Sequence, residues 1–207
     1  LLSAKAEQSL QSNASYYTDQ GLSNTLYGLG LLASPNKGLG APYTPPAALL
    51  QALFSATNNL LVRSGQAFVP QGLSNCLYGL ALLSEAGALA GPGVQQASGQ
   101  QVERLAGECA RRSFQGFTSQ QVANSAWAAA KLQLRGSCGF YAALCDAVTR
   151  HDALAGSVPQ HWANLLWALA TARHPDPAVL EAAAAALLGR SGDGSDGLLR
   201  LAKPQGC

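Results

Sequence analysis

The chain has 207 residues, 48% of them apolar and 12% charged, with a formal net charge of +2. This balance excludes a disordered chain and a strongly polycationic one, and it suits one compact domain or a short repeat array. The apolar run from Ala182 to Leu188 falls well short of the roughly 18 residues that span a bilayer, so no membrane segment is expected.

Residues 3–16 read as a lead-in helix, with Ser3 as its cap and Leu10 and Ala14 on one face. Thr18-Asp19 then caps a helix that runs to about Ser34, where Pro35 and Asn36 stop it. Residues 35–43 are rich in Gly and Pro and form a loop. Thr44-Pro45-Pro46 opens a second kind of helix through Leu49, Leu50, Leu53, Phe54, Leu60 and Leu61, ended by Gly65. A helix from Pro70 fades at Gly87, and residues 86–99 read as a mobile Gly-rich insertion. Gln100 to Phe114 is a partner helix with Val102, Leu105, Ala106, Cys109 and Ala110 inward, and Arg111 and Arg112 suit its C-terminus. Gly116 breaks it. Thr118 or Ser119 caps the next helix, which ends near Leu134. After Gly136-Ser137 comes a helix carrying Tyr141, Leu144, Cys145 and Val148. Ser157 and Pro159 open another, and His174-Pro175-Asp176-Pro177 closes it and opens a last helix to about Leu188. Residues 191–207 read as a flexible tail or a truncated further repeat.

Alternate helices in this series share one motif. Its four copies are centred on Asn24, Asn75, Asn124 and Asn164, at steps of 51, 49 and 40 residues. Each Asn has a Gln four residues before it (Gln20, Gln71, Gln120, Gln160) and an aromatic three after it (Tyr27, Tyr78, Trp127, Trp167). Gly or Ala follows at positions +4 and +6 from the Asn. Self-similarity at such a period is the signature of a repeat array. The predicted fold is all-α: a right-handed α-solenoid of about four helical hairpins, each a motif helix and a partner helix, after a lead-in helix at 1–16. The array spans 17–190, with repeats near 17–66, 67–116, 117–156 and 157–190. Loop insertions within the first two repeats account for their longer steps.

On a helical wheel the large apolar residues at −2, +2 and +5 (Trp162, Leu166 and Leu169 in the fourth copy) fall within an arc of about 60° and form the packing stripe. Small residues at −1 and +6 flank it and allow close helix approach. The Asn, the Gln and the aromatic lie on the other side. There the amides would bond from repeat to repeat as a ladder, and the aromatic would fill the gap between hairpins. The competing reading has them touch nucleic-acid bases. A residue identical in every copy cannot tell one base from another, so these twelve are assigned to structure. Base choice would fall to positions that vary, such as Gln121 and His161 at −3 and Lys131 and Thr171 at +7. The matching residues of the first two copies, Gly21, Gly72, Leu31 and Leu82, offer no polar readout. Arg104, Arg111, Arg112, Lys131, Arg135 and Arg150 cluster in the middle of the chain, where they would either hold phosphates from one side or serve as ordinary solvated helix ends.

These motifs resemble the octotricopeptide repeat family. Pro159 to Ala172 fits the family's Trp-Ala-Leu-Ala-type helix closely, and Thr44-Pro45-Pro46-Ala47-Ala48-Leu49-Leu50 is similar to the opening of its other helix. Pro175 to Leu180 matches that opening more weakly. The resemblance covers about residues 17–189. It implies sequence-selective binding of single-stranded RNA in an organelle, a chloroplast before a mitochondrion, in RNA processing, stability or translation. Some members carry a nuclease-like RAP domain after their repeats, and none is visible in this sequence. The step lengths and the tyrosines of the first two copies depart from the family pattern, which bears on regular stacking of the array.

No other chemistry emerges. The five cysteines form no CxxC pair and read as reduced, buried thiols of a reducing compartment. Asn13-Ala14-Ser15 matches a glycosylation sequon of the kind that is common by chance. His151, His161 and His174 stand singly, and Cys138, Cys145 and His151 lack zinc-ligand spacing. Gly192 to Gly197 satisfies GxGxxG without a preceding strand, so it is not a dinucleotide site. No acid/base pair of carboxylates stands out. No enzyme activity, metal, cofactor or small-molecule substrate is expected. The alternative to RNA binding is a helical scaffold for protein partners. The chain begins at Leu1 and has no Met, so it reads as a fragment or a processed product whose targeting segment would lie upstream.

Overall fold

The computed structural model describes residues 17–35, 42–63, 68–91, 93–134 and 139–188. The lead-in helix, most of the first loop, Gly65, Arg135, Cys138 and the tail lie outside them. Among the described residues there are eight α-helices and no strands. In order they are α1 (Asp19–Ala33), α2 (Ala47–Arg63), α3 (Pro70–Glu85), α4 (Val94–Arg111), α5 (Ser119–Lys131), α6 (Phe140–Arg150), α7 (Pro159–Thr171) and α8 (Pro177–Leu188). Among the described residues no helix is long and apolar enough to cross a membrane.

Local chemistry sets most helix starts. Thr18 accepts from the Gly21 N–H at 3.1 Å, and Thr118 forms a complete capping box with Gln121, at 3.3 Å and 3.0 Å in the two directions. Asp176 accepts from the Val179 N–H at 3.0 Å to start α8. Proline takes the first position of α3 and α7, where its missing N–H costs nothing. Two starts differ from expectation. The partner helix α4 begins at Val94, six residues before Gln100. Gly93 supplies a left-handed turn (φ 74°) that launches a helix from within the stretch read as a mobile insertion. Helix α2 begins at Ala47, with the Pro46 carbonyl accepting from Leu50, so its prolines precede the first turn.

Several helix ends share a further device. After α3, α4, α5 and α7 the chain turns through a residue with positive φ: Gly87, Ser113, Gln133 and Arg173. The next N–H then reaches back five residues, from Ala88 to Leu83, Phe114 to Cys109, Leu134 to Ala129 and His174 to Leu169. These are Schellman closures.

Helices make their main contacts two elements apart. The motif helices α1, α3, α5 and α7 each meet the next in the series, and α2, α4, α6 and α8 do likewise. Contacts within a hairpin are less extensive than those along the motif-helix row. Each motif helix runs alongside the next in the same direction. Asp19 at the start of α1 accepts from the N–H of Val69 just before α3, at 3.0 Å, and the Ser74 hydroxyl donates to the Gln121 carbonyl at 3.2 Å. Glu85 and Lys131 meet at the C-terminal ends of α3 and α5.

The core lies between the two rows. Leu22, Leu26, Leu73, Leu77, Leu80, Val122, Ala126, Ala129, Trp162 and Leu169 are buried at the stripe positions −2, +2 and +5, while Leu29 and Leu166 are partly buried. Each fully buried Leu contributes roughly 1.5–3 kcal/mol. A chain of edge-on aromatics, Phe117, Phe114, Phe140 and Tyr141, ties the end of α4 to α6 at centroid distances of 5.2–5.3 Å. Small residues matter most where α1 meets α3. A Cβ on Gly30 would lie 2.8 Å from the Gly79 carbonyl oxygen, so the two backbones touch.

Candidate nucleic-acid interface

The twelve motif residues lie along one edge of the motif-helix row. Gln20, Gln71, Gln120 and Gln160 are exposed, Asn24 is exposed, and Asn75, Asn124 and Asn164 are half-buried. The one side-chain hydrogen bond among them stays within α7, where Gln160 Nε2 donates to Asn164 Oδ1 at 2.8 Å. The amide ladder expected between repeats is therefore not formed among the described residues. At this edge the amides reach water and need no protein partner.

The aromatics join instead. Tyr27 meets Tyr78 edge-on at 5.9 Å, and Tyr78 meets Trp127 at 5.0 Å with a 34° tilt. The Lys131 ammonium then lies 5.4 Å from the Trp127 ring and 5.2 Å from the Trp167 ring, and pairs with Glu85 at 2.5 Å. One cation thus links α3, α5 and α7. The pattern repeats because position +3 faces the same way in each parallel motif helix, and parallel packing brings those positions side by side. Among the described residues the row reaches Trp167, which is 41% exposed. The same register explains its openness. Positions −1 and +6 are buried in the first three copies (Ser23, Ser74, Ala123; Gly30, Ala81, Ala130), but Ala163 and Ala170 of α7 are exposed. Burial and the neighbouring Tyr27 and Glu85 raise the pKa of Tyr78 above its ordinary value.

The candidate readout residues do not form one surface. Gln121 is held by the capping box, which uses its side-chain oxygen. His161 is partly buried, its Nδ1 has no hydrogen-bond partner, and burial lowers its pKa. Thr171 is exposed at the end of α7.

The basic residues are also dispersed. Arg104 donates to Asn58 Oδ1 of α2, in the partner row. Arg111 and Arg112 both bind the carboxylate of Glu108, each with contacts of 2.7 Å. They hold the pKa of Glu108 below the usual carboxylate range. Arg112 is only 15% exposed and donates to the Phe68 carbonyl at 2.6 Å, so it ties α4 to the start of α3; Arg111 is 58% exposed. This pair sits at the N-terminal end of α3, whereas Lys131 sits beside its C-terminal end. Those ends are separated by a 16-residue helix, roughly 24 Å. Arg150 pairs with Asp146 on the surface of α6 at 3.1 Å. Of the two readings of these basic residues, one phosphate-binding side or ordinary helix ends, the contacts of the described residues favour the second, and neighbouring carboxylates neutralise much of the charge.

A cleft of about 410 Å³ opens beside Lys131, lined in part by Ser84, Gln95, Glu103, Gln133 and Leu134. Among the described residues no group of three or more His, Cys, Asp or Glu residues could hold a metal ion. Two features escaped sequence reading, the Lys131 bridge and the anchoring of Phe68 by Arg112. Both depend on contacts between residues more than 30 positions apart, Lys131 with Glu85 and Trp167 and Arg112 with Phe68, for which a single sequence carries no signal. No protein-family profile matches the chain, and comparison with curated proteins and with solved structures returns no match.

Proposed function

We propose that the chain forms a right-handed α-solenoid of the octotricopeptide repeat type that binds single-stranded RNA in an organelle, in a chloroplast before a mitochondrion. It has no catalysis of its own and acts in RNA processing, stability or translation. The aromatic row carries the reading: one ring per repeat, with a lysine between Trp127 and Trp167 and the Trp167 ring partly exposed. Rings 5.0–5.9 Å apart leave no room for an inserted base, so Tyr27, Tyr78 and Trp127 present edges. Trp167, 41% exposed, offers a surface on which a base stacks, beside a Lys131 that is already paired with Glu85. Such stacking contributes roughly 1–3 kcal/mol per base and tolerates any base. Selectivity would then come from His161 and Thr171 on the same helix.

Fluorescence anisotropy with a pool of labelled single-stranded RNA oligonucleotides at low salt tests this. Saturable binding that weakens as salt rises is expected. Trp167→Ala should weaken it about tenfold, in line with the stacking range above. Absence of binding at low salt overturns the proposal. One observation favours the alternative, a scaffold for protein partners. Acids and bases nearly balance among the described residues, while Val62, Val69, Val158, Leu180 and Leu188 are exposed.

A further inference from the structure

On the partner-helix row, Gln51, Ser55 and Asn58 of α2 face Gln100, Gln101 and Arg104 of α4 across a cavity of about 180 Å³. Both sets follow helical spacing, so each occupies one face of its helix. Phe54, which is buried, and Ala97 also line the cavity. We propose that this cleft binds a small oxyanion, a carboxylate or a phosphate group.

The lining is rich in donors and contains no carboxylate. Gln101 is 2% exposed, and its Nε2 has no hydrogen-bond partner. A buried N–H donor in that state costs free energy until an acceptor arrives. Beside it, Arg104 donates one hydrogen bond to Asn58 Oδ1, which fixes the guanidinium at the cleft and leaves further donors for a guest. The side-chain amides of Gln51 and Gln100 and the hydroxyl of Ser55 add to the set. A cation would meet one positive charge and no negative one. An oxyanion would meet the charge and accept from the open amides of Gln51 and Gln100, the pairing that favours guanidinium sites for carboxylate and phosphate, and Gln101, whose Nε2 is closed off from solvent, would turn to reach it. The cleft lies in the other helical row from Trp167, so it stands apart from the RNA reading.

The test is an NMR titration of the whole chain with sodium phosphate, and separately with sodium acetate, against sodium chloride at equal ionic strength. Either oxyanion should shift the Gln101 side-chain amide and the Arg104 Nε–H resonances saturably, and chloride should not. Arg104→Gln, at an exposed residue, should weaken binding at least tenfold. Gln101→Leu should weaken it about fivefold. Trp167→Ala should leave it unchanged, which separates failure here from failure of the RNA proposal. The oxyanion that saturates at lower concentration identifies the preferred head group. Shifts that fail to saturate, that chloride reproduces, or that survive Arg104→Gln overturn the proposal.

Discussion

Gly79 of α3 lies directly on the backbone of Leu26 in α1: a methyl added to it would come within 2.6 Å of the Leu26 carbonyl oxygen. Backbone cannot step aside as a flexible side chain can. Gly79→Ala should therefore push α1 and α3 apart and cost about 1–3 kcal/mol or more, as overpacking does. Gly28 occupies the same motif position in α1, with nothing within 4 Å of the added methyl. Gly28→Ala should stabilise the protein by roughly 0.5–1 kcal/mol through helix propensity alone. Urea melts of the two variants check this, and equal effects would disprove the close contact.

Arg111 and Arg112 are neighbours with different duties. Arg112 holds both Glu108 and the Phe68 carbonyl from a largely buried position. Arg112→Ala should cost roughly 1.5–3 kcal/mol, the range for hydrogen bonds to a charged group. Arg111→Ala should leave the melting temperature nearly unchanged, because its pair with Glu108 is screened by water. If the two variants melt alike, the anchoring role of Arg112 is wrong.

Three Schellman turns, at Ser113, Gln133 and Arg173, are closed by side chains poorly suited to them. Gln133 and Arg173 hold φ near 55°, where an L-residue is strained and glycine is not. Gln133→Gly and Arg173→Gly should each raise stability by about 1 kcal/mol, offset in part by the greater freedom of glycine in the unfolded chain. Thermal melts of the single and double variants would read this, with near-additive gains at such separated sites. A loss of stability in both would contradict the turn geometry.

Burial depresses the pKa of His161 below its ordinary value of 6.5. The folded protein therefore takes up this proton at lower pH than the unfolded chain. The stability His161 contributes is complete above pH 6.5 and declines as pH falls through 6.5 towards the folded pKa. Denaturant midpoints in that window should fall less steeply in His161→Gln than in the parent. A ring pKa at or above 6.5 by NMR would remove the effect.

Much of the architecture was readable because it is local. Thr18, Thr118, Pro70 and Pro159 mark helix starts by their own chemistry, and the apolar stripe follows from helical spacing. Where reading failed, the cause was tertiary. The stretch around Gly93 looked like loop because glycine favours turns, yet its left-handed φ starts α4. The amide ladder was inferred from recurrence, but recurrence does not reveal whether a polar residue meets protein or water. The aromatics recur just as regularly and do meet one another, because parallel packing of α1, α3, α5 and α7 brings position +3 into line. Arg104, Arg111 and Arg112 looked like one cluster along the chain, although Asn58 holds Arg104 while Glu108 gathers Arg111 and Arg112 as a separate pair.

The contact between Gly30 and Gly79 also limits how this array could be rebuilt. The corresponding positions in the third and fourth copies carry Ala128, Ala130, Ala168 and Ala170. Removing residues 67–116 would bring Ala128 to the seat of Gly79, with its methyl against the Leu26 carbonyl. The units share a motif, but they are not interchangeable parts. The seam between α1 and α3 is cut for that pair of neighbours, in the sizes of their smallest side chains.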